Sequence, residues 1–227
     1  MKNVKTTFQD VKNSTEISTY LSKGNDLLGV LGFTEHGFAH AGKVSQNAGE
    51  ILTTLGYDER TVELAMIAGH MHDIGNCINR SDHAQSGAIM TFRILDRMGF
   101  GAEELADIIG AIGNHDEGTG MAFSPISAAL ILSDKSDVRR SRVRYKNRNE
   151  EKLSADIHDR VNYAVEKSTL TVMPDEKVVL LELTIDTDIS AVMEYFEIFL
   201  TRMTMCRNAA QYLNLTFELS INNIRLL

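Results

Sequence analysis

The sequence has 227 residues, 43% of them hydrophobic and 24% charged, with a net charge of -8 at pH 7. That is enough apolar material for one core and a second small unit, and the acidic balance excludes sequence-independent gripping of nucleic acid, which needs a broadly basic surface. No apolar run approaches the roughly 20 residues of a membrane span, and the opening MKNVKTTFQDVKNSTE lacks the apolar core of a signal peptide, so a soluble, cytoplasmic protein is expected. Two cysteines, Cys77 and Cys206, cannot supply a disulfide framework and read as free thiols.

Residues 16 to 31 have helical apolar spacing, broken at Gly29 and Gly32, and predict a short lead-in helix. From Gly37 to Leu55, the residues His40, Val44, Ala48, Ile51 and Leu55 recur three or four apart and Gly56 supplies a left-handed stop, which puts His40 on the apolar stripe of an amphipathic helix. Asp58 caps a nearly all-apolar helix ending in His72, Asp73 and Gly75. Ser81 or Asp82 caps a third helix, running to Met98 and stopped by Gly99, with His83 in its first turn. Residues 102 to 114 form a fourth, whose inner stripe of Leu105, Ile108 and Ile112 continues to His115. After the glycine-rich GTGMAF, Ser124 and Pro125 open a helix in which Ile126, Leu130 and Asp134 share one face.

Beyond residue 138 the composition changes. The stretch RRSRVRYKNRNEEK contains seven Lys or Arg in fourteen residues and reads as an exposed helix extension or linker. A helix over 153 to 167, two strand-like runs STLTVM and VVLLELTI joined by the turn PDEK, a long helix from 189 to 213 and a last strand LTFELSI make a β-β-α-β pattern. The expected fold is mainly α: a helical unit over residues 1–150, including the basic linker, and a small α+β unit over 151–227 with no assigned role. A homo-oligomer formed through this second unit is one of the uses left open.

Four histidines and two aspartates thus fall at core-facing or terminal positions of five successive predicted helices. A buried carboxylate without a partner costs several kcal/mol, so Asp73 and Asp134 require a cation. Imidazole and carboxylate together suit iron, manganese, zinc or cobalt better than magnesium or calcium, and six ligands exceed what one catalytic metal with open positions uses. Two divalent transition metals are the economical reading. His36 lies one helical turn before His40 and is a candidate substrate group, as are Asn76, Arg80, Lys135, Arg139 and Arg140 for phosphate. His70 would point away from His72 and reads as structural, and His158 as a surface residue.

The segment AMIAGHMHDIGN resembles the signature of the HD superfamily of metal-dependent phosphohydrolases, named for its adjacent His-Asp pair. The family's ordered pattern is met by His40, His72 with Asp73, His83, His115 and Asp134, and HAGKVSQNAGEILTTLG and NHDEGTGMAFSPISAALILSDKSD are similar to its first and last ligand segments. The resemblance covers residues 30 to 140 and is most similar in pattern to bacterial dinucleoside-polyphosphate hydrolases and their unassigned relatives. It implies one metal held by His40, His72, Asp73 and Asp134, a second held by His83, His115 and the other oxygen of Asp73, and a bridging hydroxide that cleaves a phosphate ester or anhydride of a nucleotide or related small molecule, with Asp73 as the central catalytic residue. Three departures stand out: Asn76 replaces the lysine of the common HDIGK form, Asn114 precedes His115 where the cyclic-dinucleotide branch has paired histidines, and the step from Asp73 to His83 is short. A di-iron oxygenase and a noncatalytic ligand sensor on the same fold remain alternatives at this level.

Overall fold

The computed structural model describes residues 5–118, 120–148 and 150–226. The first four residues of the polar opening, Thr119 in the glycine-rich stretch and Asn149 in the basic segment lie outside the described residues. Helix α1 (Phe8–Lys12), which the apolar spacing did not suggest, is nucleated by a capping box between Thr7 and Asp10. Helix α2 (Thr15–Leu31) runs through Gly29 and ends at Gly32, whose φ of +91° gives the left-handed stop. Helices α3 (Phe38–Thr54), α4 (Glu59–Met71), α5 (His83–Arg97), α6 (Ala102–Gly113) and α7 (Pro125–Lys135) follow in the order read from the sequence. The Asp58 side chain accepts from the backbone of Arg60 and Thr61, as a cap should. Asp82 does not cap α5 with its side chain; it takes a left-handed conformation at φ +56° and turns the chain directly into His83.

The His-Asp pair sits where α4 gives way to a short 3-10 turn over Ile74–Cys77. Two glycines let the backbones around it close up. A Cβ on Gly69 would lie 2.8 Å from Ser45 Cα, so α4 can press against α3 only without a side chain there. A Cβ on Gly75 would lie 2.0 Å from the carbonyl oxygen of His83, and its absence brings the start of α5 against the turn. The short interval between Asp73 and His83 is therefore a tight wrap over Gly75.

The basic segment is no solvated linker. Arg142 is buried and donates to the carbonyls of Glu35 and Asp137 at 3.0 and 2.8 Å; Arg144 donates to those of Phe33 and Asn25 at 2.7 and 2.8 Å; Lys146 donates to that of Gly29 at 2.9 Å. Gly29, Phe33 and Glu35 belong to the end of α2 and the α2–α3 connection, where carbonyls lack helical partners, and the cations satisfy them. The expected helix over 153–167 divides into α8 (Glu150–Ala155) and α9 (Ile157–Ala164), because Asp156 caps the second piece, and the chain is already strand from Val165.

Strands β1 (Val165–Met173) and β2 (Val178–Ile185) form the expected antiparallel hairpin, with a register shift between Val165 and Lys167. Helix α10 (Val192–Tyr212) crosses over to β3 (Thr216–Ile221), which pairs parallel to β2, and a two-residue β4 (Ile224–Arg225) extends the four-stranded sheet in the order β1-β2-β3-β4. One hydrophobic cluster runs from Ile67 and Leu130 through Phe199 and Met203 to Leu181 and Leu219, with α10 packed against both α7 and β3. No helix among the described residues is long and apolar enough to cross a membrane.

The amino-terminal segment is fastened by Glu104, which meets Lys5 at 2.5 Å and takes the Arg60 guanidinium in two bonds at 2.9 and 2.6 Å. Arg60 foremost, then Lys5, holds the Glu104 carboxyl down from 4.5 to about 2. Because the folded value lies below the unfolded one, this clamp contributes fully above pH 4.5 and its contribution is lost as pH falls through about 2. Glu104→Gln is expected to cost on the order of 1 kcal/mol at neutral pH and to flatten stability against pH in that acid window, read from urea midpoints across pH.

Candidate metal centre

Five elements deliver six side chains to one buried point. His40 comes from the first turn of α3, His72 and Asp73 from the end of α4, His83 opens α5, His115 follows α6 and Asp134 lies in the last turn of α7. His40 Nε2 stands 3.2 Å from His72 Nε2 and 3.2 Å from Asp134 Oδ1. Asp73 Oδ2 is 3.3 Å from His72 Nε2 and 3.6 Å from His40 Nε2, while Asp73 Oδ1 faces His83 Nε2 at 3.4 Å. His83 and His115 meet through Nε2 atoms 3.2 Å apart. The two carboxylate oxygens of Asp73 thus look toward two different pairs of imidazoles. Ligand atoms of His40, His72 and Asp134, and again of His72, Asp73 and His115, lie within 4.8 Å of one another.

Each imidazole is held by its other nitrogen. His72 Nδ1 donates to Gly69 O at 2.8 Å, His83 Nδ1 to Arg80 O at 3.1 Å and His115 Nδ1 to Ile112 O at 2.6 Å; His40 Nδ1 bonds Asp137 Oδ2 at 2.8 Å. Carbonyls only accept, so Nδ1 of the first three carries the proton and in the neutral ring Nε2 presents a lone pair to the centre. Burial pushes the His115 imidazole down to about 3, with His72 and Lys135 adding to the effect, and burial likewise lowers His83. Burial opposes charge on Asp73 as well, but His72 together with His36 and His40 outweighs it and holds the carboxyl well below its usual range; for Asp134 burial is outweighed by Lys135, at 2.8 Å, together with His40 and His72. Burial also works against a charged His72, and the Asp73 carboxylate reverses that, lifting its pKa.

This donor set fits divalent transition metal. Nitrogen lone pairs facing one another at 3.2 Å repel unless a cation or a proton lies between them, and among the described residues the buried Asp73 Oδ2 has no hydrogen-bond partner. Neutral imidazoles with orienting partners on Nδ1, mixed with carboxylates, are the ligands such ions take.

The other sequence candidates have varied placements. Asn76 donates to Asp73 Oδ1 at 2.7 Å and so orients that carboxylate. Arg80 reaches within 3.3 Å of His83 Nε2 and 3.9 Å of Asp73 Oδ1. Lys135 is buried on Asp134. His36 stacks edgewise on His40 with ring centroids 5.4 Å apart and bonds Thr34 O through Nδ1. Arg139 and Arg140 turn to a different cleft, shared with Lys43 and Lys167; Arg139 is bonded to Asp137 and Ser141, and Arg140 to Tyr163 O.

Beside the centre opens a cavity of about 480 Å³ with His36, Arg80, Asp116 and Arg142 on its wall. The same wall continues through His158, Asp159 and Asn162 of α9 and Phe199 and Arg202 of α10. None of these α9 and α10 residues was singled out as a site residue in the sequence; His158 reads there as a surface residue, and it is exposed as well as being on the cavity wall. Asp137 was missed as well, although its place three residues after Asp134, in SDKSD, is a usable signal.

Asp137 fixes the ring of His40 and is itself gripped by Arg139 at 2.7 Å and Arg142 at 3.9 Å. Asp137→Asn is expected to weaken divalent-metal retention about 10- to 100-fold with the fold intact, measured by competition with a chelating dye.

A model of the HD domain matches residues 37–164, more than half of the chain. An uncharacterized protein of Methanocaldococcus jannaschii is 24% identical over 159 residues, which are 60% of this chain and 61% of that protein, so the chain spans about three fifths of the relative's length. The crystal structure of a predicted HD superfamily hydrolase from an uncultured Thermotogales bacterium is similar at 27% identity and a TM-score of 0.44, over 55% of this chain and 67% of that one. With its match over the segment that carries all six converging residues, the chain belongs to the HD-domain family.

Proposed function

We propose that this protein is a metal-dependent phosphohydrolase that cleaves a phosphate ester or anhydride of a nucleotide-like small molecule, using two divalent transition metal ions. The observation that carries the reading is the facing of four Nε2 atoms and two carboxylates in a buried site whose Asp73 Oδ2 is otherwise without a partner. His40, His72, Asp134 and Asp73 Oδ2 would hold one ion, and His83, His115 and Asp73 Oδ1 the other. When bound, such ions supply Lewis acidity toward phosphoryl oxygens and a hydrolytic nucleophile at neutral pH.

The remaining side chains serve binding and orientation. Arg80 stands at the border of the centre and the cavity, where its guanidinium can meet the phosphate's nonbridging oxygens in forked geometry. Asn76 locks Asp73 so that each carboxylate oxygen keeps its own set of imidazoles. His36, on the cavity wall beside His40, has its imidazole held well below the usual pKa by burial and by Arg142, so it contacts substrate as a neutral group. The negative cluster of Asp116, Asp73 and Asp134 gives the site strong attraction for cations before any phosphate arrives.

The test is metal analysis of anaerobically purified protein, followed by a panel of nucleotides and simple phosphoesters with iron, manganese, zinc or cobalt. Phosphate release with at least one of these metals is expected; oxygen-dependent turnover of a substrate without phosphate release would overturn the reading in favour of an oxygenase. Asp73→Ala is expected to lose both metal retention and turnover, the latter by at least about 1000-fold. Full activity in that variant would remove Asp73 from the centre of the mechanism.

A further inference from the structure

The cavity beside the metal centre has walls of two origins. His36, Arg80 and Asp116 flank or belong to the segment matched by the HD family, whereas Phe199 and Arg202 lie on α10, well beyond Ala164 where that match ends. Arg202 is not a loose surface cation. Its guanidinium sits 4.5 Å from the centroid of the Phe199 ring and its Nε donates to Glu117 Oε1 at 2.6 Å, and these two contacts fix its plane. Phe199 in turn is buried edge-on against Tyr195.

Phe33 lines the same cavity from the α2–α3 connection. It is 42% exposed, so core packing does not account for it, and Arg80 stands 5.7 Å from its ring centroid. Its backbone is pinned by Arg144, which makes it a fixed surface rather than a flapping one. Asn162 adds a polar edge: one amide hydrogen goes to His158 O at 2.8 Å, and its side-chain oxygen remains as an acceptor. The cavity volume of about 480 Å³ is that of a site for one compact ligand.

We propose that Phe33 and the guanidinium of Arg202 form a ring-binding subsite for the group attached to the phosphate. The substrate class is then a compact phosphate ester or anhydride bearing one planar ring with polar edges, and α10, outside the family match, sets that specificity. This rests on the phosphohydrolase reading for the phosphate end alone. Flat aromatic and guanidinium faces bind planar rings by stacking with little regard to ring identity, so adenine is a sufficient probe.

The test compares adenosine 5′-monophosphate with ribose 5-phosphate, which differ only by the ring, in calorimetric titrations of the metal-supplemented full chain. The wild type is expected to bind the ring-bearing compound at least about tenfold more tightly. Phe33→Ala and Arg202→Leu should each cut that affinity about tenfold while leaving ribose 5-phosphate within about twofold. Arg202→Lys, which keeps the charge and loses the plane, should behave like the leucine variant. Equal affinities for the two compounds in the wild type would overturn the proposal, as would variants that weaken both compounds alike, which would make Arg202 a phosphate clamp. Phe33 is exposed, so its variant keeps the test decisive if loss of the Glu117 pair unfolds the Arg202 variants. Ring-dependent binding with no phosphate release under any metal would leave the subsite standing and remove the hydrolase reading; turnover of both compounds with equal KM would do the reverse.

Discussion

Imidazole nitrogens stand 3.3 to 3.6 Å from the Asp73 carboxylate, inside a shell of largely apolar helices. Unneutralised, such an arrangement costs several kcal/mol per buried charge, which a cation at this point would offset. Much of the helical part can be understood as what is required to set up this one point. Gly69 and Gly75 bring α4 and α5 close enough, the carbonyls of Gly69, Arg80 and Ile112 fix three imidazoles, and Asp137 fixes the fourth. The carbonyl oxygens that hold the rings at His72, His83 and His115 each lie three residues earlier in the chain, so the same local turn orients all three.

The convergence of these six residues was legible because buried polar side chains leave a strong mark on a sequence: they stand at helix positions whose neighbours in the period are apolar. Helix starts at Asp58 and Ser124 and stops at Gly32, Gly56 and Gly99 could be read for the same reason, since each is a local rule of capping or left-handed backbone. Asp82 escaped such a rule because its left-handed turn, and not a side-chain cap, begins α5. For Asp137 the only signal was its spacing from Asp134, and Arg142 had none. Their roles depend on where the chain goes after α7, which no periodicity encodes.

The basic segment shows the same limit from the other side. A run of Lys and Arg ordinarily means solvent, yet here the pattern is spent on the carbonyls of Gly29, Phe33, Glu35 and Asp137. Long side chains can reach such acceptors while their backbone stays at the surface, so charge density alone does not separate a linker from a strap. In this protein the strap secures the connection that carries Phe33 and His36 to the cavity. The shape of the cavity on that side is therefore maintained by residues outside its lining, such as Arg144.

The crossover from β2 through α10 to β3 has a kinetic meaning. Parallel strands cannot be joined by a tight turn, so β3 pairs with β2 only after the whole intervening helix has been placed, whereas the β1–β2 hairpin needs only its local turn. Helix α10, which bears Arg202, is thus the crossover on which that parallel pairing depends, so one element sets both the β2–β3 register and part of the cavity wall.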